Sequence, residues 1–180
     1  MPNQNTVGNI TTDAAVNVYN GENGSVGGVT AGTTVTIGAA ANANAGDVGD
    51  IDTDGGVNVY NGSAIIGTIE AGSTVNLYGN AGDIGNVTSS ASISVGGYNK
   101  TEANAAGQVG NSGTIGNLTG TSVNVYRNTG KIGNLKSTTG AIRIGQGDSA
   151  AYAAYNVNSG TVGSVDAATT VAVYSGDVQS

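Results

Sequence analysis

The stretch Val48-Gly49-Asp50-Ile51-Asp52-Thr53-Asp54-Gly55-Gly56-Val57-Asn58-Val59-Tyr60 holds two unlike pairs of aliphatic residues. In Val57-Asn58-Val59 apolar and polar residues alternate, the period-2 pattern of a strand with one buried face. Val48 and Ile51 stand three apart around a glycine. That spacing suits a corner, where Gly49 is expected to take a backbone conformation closed to other residues. Outward from this stretch, the same two segments recur along the chain. The first has its glycine at 8, 27, 49, 67, 85, 116, 133 and 163, as in Ile84-Gly85-Asn86-Val87. The second spans Val16–Tyr19, Val35–Gly38, Val57–Tyr60, Val75–Tyr78, Ile93–Gly96, Val123–Tyr126, Ile142–Gly145 and Val171–Tyr174. Of the 36 Val, Ile and Leu residues, 32 fall at these positions and only Ile65, Val109, Val157 and Val178 do not. The chain is a repeat protein.

Tight copies recur every 17 to 19 residues. At about 3.3 Å per residue such a repeat has a perimeter near 60 Å, enough for one narrow coil. No amphipathic period of 3.6 survives and glycine is everywhere, which excludes helical bundles. The expected fold is all-β: one β-solenoid (β-helix) domain over residues 1–180, with about eight coils between residues 5 and 178. Loops 39–47, 97–114 and 146–161 are inserted at one corner. Each follows a copy that ends in glycine (Gly38, Gly96, Gly145) rather than tyrosine, and that glycine is expected to free the chain from the coil.

Cys, His, Trp and Phe are absent. That removes disulfides, thiol and His-based catalysis, and zinc, copper or haem sites built from His or Cys. Five Lys and Arg against 12 Asp and Glu give a net charge of −7, which argues against a nucleic-acid binder that tracks phosphates with a basic stripe. No run of about 18 apolar residues exists, so no membrane insertion through a helix is expected.

Function tends to sit on inserted loops, and these three are candidates. On the coil face, Asn17, Asn58, Asn76 and Asn124 are expected to point outward and form amide ladders. Beside them Tyr19, Tyr60, Tyr78 and Tyr126 make a strip suited to glycans, with flat apolar faces and neutral hydrogen-bonding groups. Asp50-x-Asp52-x-Asp54-Gly55 matches the start of an oxygen-rich calcium loop, although Asn61 replaces the closing glutamate of an EF-hand. Calcium is the one cofactor the sequence suggests. No second acidic cluster or basic partner accompanies these carboxylates, so the protein is not expected to be an enzyme.

The ends carry the last candidate. Val7 and Ile10 already belong to a complete first segment, and Ser175–Val178 repeats the start of a further coil. Solenoids normally carry polar caps, because a bare end exposes unpaired backbone and the apolar column. An assembly interface is expected between Val7, Ile10, Val16 and Val18 at one end and Val171, Val173, Tyr174 and Val178 at the other. Such a head-to-tail contact does not close and builds a filament.

The runs GDVGDIDTDGGVNVYNG (46–62) and AGDIGNVTSSASISVGG (81–97) resemble the coils of bactofilins, small β-solenoid proteins that polymerise end to end. The resemblance implies a solenoid architecture and homopolymer assembly, and carries no functional residues. Bactofilins have polar or charged tails and lack long Ala/Asn-rich loops. The Gly/Asn/Thr/Ala-rich, Lys-poor surface is closer to bacterial or archaeal surface fibres, adhesins and phage fibres. The expected function is a self-assembling structural filament, extracellular or on the cell surface. Its counterparts elsewhere are a cytoplasmic cytoskeletal filament or a virion fibre. The alternative is an adhesin or phage-fibre module that binds glycans through the corner loops or the Tyr/Asn face.

Overall fold

The computed structural model describes residues 6–19, 24–39, 46–97, 110–145, 158–174 and 177–178. Over them the chain forms 25 strands, β1 to β25 in chain order, in three sheets with parallel pairing between neighbours. Three strands make one coil. In the third coil they are β7 (Asp47–Val48), β8 (Ile51–Thr53) and β9 (Val57–Tyr60), each in a different sheet. The first face of the solenoid is a nine-stranded sheet, and the second and third faces have eight strands each. Eight complete coils therefore stack, followed by β25 (Asp177–Val178), the opening strand of a ninth. The molecule is an all-β solenoid, as the repeat predicts.

The three-sided cross-section comes from the corner at Gly49-Asp50. Read as sequence, Val48 and Ile51 belong to one segment; in space they end one face and begin the next. Both still point inward. Val48 pairs with Val26 and Ile66, Ile51 with Val29 and Ile69, and Val57 with Val35 and Val75. All nine are buried in one continuous column. Each such side chain contributes roughly 1.5–3 kcal/mol gross, before the entropy of ordering the chain offsets most of it. Ile65, outside the repeat pattern, is 57% exposed. Val178 joins the pattern after all, as the ninth-coil partner of Val162.

The corner glycines differ from the expectation. None of them has a positive φ; crowding is what excludes a side chain. A Cβ at Gly116 would stand 2.6 Å from Asn86 Oδ1, and one at Gly133 would stand 2.6 Å from Asn117 Oδ1. From Gly27 onward the coils approach so closely at this corner that only hydrogen fits; at Gly8, in the first coil, nothing stands within 4 Å.

All three long insertions lie between a third-face strand and the next first-face strand. Residues 40–45, 98–109 and 146–157 of these loops lie outside the described residues. Their bounds shift slightly: Asp47, Thr114 and Thr161, read as loop ends, each begin a first-face strand. The coils keep register across the insertions, with Ile84 beside Ile115 and Ile132 beside Val162. Gly38, Gly96 and Gly145 have φ of 72°, 76° and 75°, the left-handed exit expected of them. Gly79, which follows Tyr78 in a tight coil, shares it at 61°.

Val125 has no exposed surface, so Val125→Asp should cost about 4 kcal/mol or more by burying an unpaired charge. Asn58 is half-buried on the outer side and its Oδ1 accepts from Asn76 Nδ2. Asn58→Asp keeps that acceptor and should cost under about 1 kcal/mol. Thermal unfolding followed by circular dichroism checks the contrast, and equal losses would contradict the inward and outward assignment.

Candidate functional site

The corner between third and first faces holds a feature the sequence reading missed. Asn61, Asn80, Asn111, Asn128 and Asn158 are inward-facing and 0–2% exposed. Each amide donates to the next: Asn61 Nδ2 to Asn80 Oδ1 (2.6 Å), Asn80 to Asn111 (2.7 Å), Asn111 to Asn128 (2.8 Å) and Asn128 to Asn158 (2.8 Å). The second amide proton turns back onto the corner, from Asn80 to the Gly82 carbonyl and from Asn111 to that of Gly113, both at 3.0 Å. Burying five amides is tolerable because nearly every donor and acceptor is used. The exception is Asn61 Oδ1, which heads the ladder buried and without a hydrogen-bond partner among the described residues. A signal was present in the sequence. Asn-x-Gly stands four residues before the inward aliphatic in Asn80-Ala81-Gly82-Asp83-Ile84, Asn111-Ser112-Gly113-Thr114-Ile115 and Asn128-Thr129-Gly130-Lys131-Ile132.

A second column runs along the exposed corner between first and second faces. Asn9 Oδ1 accepts from the Gly28 N–H, Asn86 from Asn117, Asn117 from Asn134, and Asn134 from Ser164, all at 2.8–3.0 Å. Asp50 belongs to this column. Its Oδ1 accepts from the Thr68 N–H at 2.7 Å and from the Thr68 hydroxyl at 3.0 Å. These two bonds, the backbone one first, hold its carboxyl below the ordinary aspartate value of 3.8. Asp52 is the exposed middle residue of β8, between Thr30 and Glu70, and Asp54 follows in the turn. The three carboxylates of the calcium pattern thus sit at a corner, on a face and in a turn. Among the described residues, no three His, Cys, Asp or Glu are grouped to hold a metal ion.

The tyrosine and asparagine face forms in part. Tyr60 and Tyr78 stack with centroids 5.2 Å apart and planes at 27°. Beneath them Asn76 Nδ2 donates to Asn58 Oδ1 at 2.9 Å. Asn17 is exposed and Tyr19 is 67% exposed. Asn124 lies between Ser94 and Arg143, so its ladder is interrupted, and its buried Oδ1 has no hydrogen-bond partner among the described residues.

The two ends are unlike. Val7 is 50% exposed and Ile10 half-buried, yet Val16 and Val18 of the same first coil are buried. In the last coil Val171 is 47% exposed, Val173 44% and Tyr174 48%. Val178 pairs with Val162 through β25; its side chain lies outside the described residues. Among the described residues no helix is long and apolar enough to cross a membrane. No protein-family model, curated protein or solved structure matches the chain. The stacked parallel coils of the solenoid are present, and no comparison supports a specific resemblance to bactofilins or surface fibres.

Asn111→Asp would replace the ladder's donor by an acceptor facing Asn128 Oδ1. It should cost about 2–3 kcal/mol and lower Tm by roughly 5–10 °C, whereas Asn117→Asp, which keeps its Oδ1 at the exposed corner, should fall within about 0.5 kcal/mol. Asp50 makes a prediction of its own. Its lowered folded-state value means its contribution is present above the unfolded value and is lost as pH falls through the folded one. Asp50→Asn keeps the Oδ1 acceptor for Thr68, so in acid its Tm should fall less steeply than that of the parent.

Proposed function

We propose that the protein is a structural, non-enzymatic filament subunit whose solenoid stacks head to tail on further copies of itself. The observation that carries this reading is the exposure of the last coil. Val171 and Val173 occupy the register of Ile142 and Ile144, and of Val123 and Val125, all of which have no exposed surface. These two valines are core residues without the next rung. The backbone is prepared in the same way. Val16, Val35, Val57 and Ile142 each donate their N–H one coil further along, to Thr34, Gly56, Thr74 and Thr170. Val171 holds this place in the eighth coil, and among the described residues its N–H has no acceptor in a further coil.

On this reading the strands β2 (Ile10–Thr12) and β3 (Val16–Val18) of one copy lie on β23 (Val165–Ala167) and β24 (Val171–Val173) of another. Val171 and Val173 are then covered by the first coil of the incoming copy, while β25 and the incoming β1 (Thr6–Val7) compete for the edge of β22 (Thr161–Val162). Each subunit advances the fibre by roughly 38 Å, eight rungs at about 4.8 Å. Aliphatic packing and backbone pairing hold the joint, so it resists salt better than an ion-paired one. A surface rich in Gly, Asn and Thr on a cysteine-free chain supports an extracellular or cell-surface fibre. A second reading, glycan binding on the Tyr/Asn face, is supported by the stacked pair Tyr60 and Tyr78 above Asn58 and Asn76.

Val173→Asp separates assembly from folding, because that side chain is already half exposed. The variant should keep its β signal and remain monomeric in sedimentation, while the parent forms unbranched fibres in negative-stain micrographs. Val171→Pro, which removes the open-edge donor, should behave alike. A parent protein that stays monomeric at high concentration would overturn the proposal.

A further inference from the structure

Charge is not spread evenly along the solenoid. The third coil carries Asp47 on the first face, Asp50 at the corner, Asp52 on the second face and Asp54 in the turn after it. The seventh coil carries one cation on each face. These are Lys131 in β19 (Lys131–Ile132), Lys136 in β20 (Leu135–Ser137) and Arg143 in β21 (Ile142–Ile144). Arg127 stands just before that coil, and no other Lys or Arg occurs among the described residues. The acidic and basic belts are four rungs apart, about 19 Å. That is half the eight-rung repeat of a head-to-tail fibre, so along such a fibre the two belts alternate at even spacing. At about 0.15 M salt the Debye length is about 8 Å, shorter than this spacing. A neighbouring fibre therefore feels each belt separately, despite the net charge of −7.

We propose that two parallel fibres of this chain pair along their first faces, related by a two-fold screw that shifts one against the other by four rungs. Asp47 of each copy then meets Lys131 of a copy in the other fibre. The proposal rests on the head-to-tail reading and adds to it a lateral surface and its register. Both side chains are exposed, and Lys131 has no ion-pair partner among the described residues. Strand pairing sets the outward residues of the first face in one line, one per rung. With the four-rung shift, and β1 seated on the edge of β22, Thr6 meets Asp83, Ser25 meets Thr114 and Ile65 meets Thr161. No like charges face each other, and Ile65, an exposed isoleucine, is covered. Facing sheets pack about 10 Å apart, a gap that an extended lysine and an aspartate span together.

The other arrangements fit less well. On the second face the same shift sets Asp52 against Lys136, but Lys136 already pairs with Asp166 at 3.5 Å, and Glu70 would meet Asp166. On the third face Arg143 would meet Asn58, which carries no charge. An antiparallel pair of first faces that matched Asp47 with Lys131 would set Asp83 against its own copy. Exposed ion pairs are individually weak. Here each subunit makes two, repeated along the fibre, so they add as a multivalent contact.

Electron micrographs of the intact protein test the pairing. At about 0.15 M salt fibres should lie in pairs with a stagger of about 19 Å; at about 1 M, where the Debye length is about 3 Å, they should separate into single fibres without shortening. Lys131→Glu and Asp47→Lys should each cut the paired fraction roughly tenfold, and the double swap Asp47→Lys/Lys131→Glu should restore it. Circular dichroism checks that these surface variants keep their coils. Lys136→Glu, on the second face, is the control that leaves pairing intact. If no fibres form, the head-to-tail reading falls and the pairing with it. If fibres form but stay single at the lower salt, pair without the half-subunit stagger, or remain paired at the higher salt, the pairing is wrong and the head-to-tail reading stands. A double swap that fails to restore pairs, or an equal loss with Lys136→Glu, would overturn the assignment to the first face.

Discussion

Parallel pairing of each coil with the next at a rung of about 4.8 Å dictates almost everything else in this molecule. With the backbone stacked in register, every side chain sits directly on the side chain of the same position one coil away. A residue type is acceptable only if it tolerates its own kind, or its neighbour's kind, as a contact. Aliphatics do, and tyrosine rings do. The primary amide of asparagine does better, because it carries both a donor and an acceptor and can hydrogen-bond to a copy of itself, as Asn80, Asn111 and Asn128 do in the interior. Charges do not: like charges at that distance repel by nearly 1 kcal/mol even in water. The low charged fraction, 9%, follows from stacking. Where charges do occur, the columns often separate or pair them. Lys136 lies 3.5 Å from Asp166. The exposed Ile65 stands between Asp47 and Asp83 in the first face, which accounts for an apolar residue on an otherwise polar surface. Asp52 beside Glu70 is an exception.

The same rule decides how much could be read from the sequence. Inward aliphatics repeat as Val, Ile or Leu at fixed spacings, so the solenoid, its coil count and the corner of the insertions were legible. The third face was not. Two residues, Gly49 and Asp50, turn the chain between Val48 and Ile51, and such a turn is too short to separate the strands it joins. The role of the corner glycines was also hidden. Their need is spatial, set by Asn86 Oδ1 facing Gly116 or Asn117 Oδ1 facing Gly133 in the neighbouring coil, and a neighbour 30 or 16 residues away in sequence is invisible to local reading. The inner asparagine ladder was missed for a related reason. Asparagine also decorates the outer faces at Asn58 and Asn76, and composition does not distinguish an amide aimed inward from one aimed out.

Asp50, Asp52 and Asp54 show how a local pattern acquires a different meaning in three dimensions. Alternate aspartates can converge on a cation when a loop curls around it. Here the middle residue lies within a strand, and the flanking two lie in separate turns. Asp50 does for its coil what Asn86 and Asn117 do for theirs, accepting the N–H of the residue stacked on it.

Direction is the remaining consequence of the rung. All three sheets are parallel and the inner amides donate one way along the axis, from Asn61 towards Asn158, so the two ends of the molecule are chemically distinct. A copy related by translation along the axis meets the last coil with first face on first face, second on second and third on third. A copy related by a two-fold axis across the end fares worse. Reversing the solenoid reverses the order in which its faces follow one another, so only one face can meet its own kind. If third faces are matched, the two-residue strands of the first face are set against the three-residue strands of the second, with the chain direction opposed throughout. The backbone ladder continues without a break only in the translated arrangement. Under the proposed head-to-tail reading, a joint between translated copies would be heterologous and open-ended, the geometry that yields a polar fibre in place of a closed dimer.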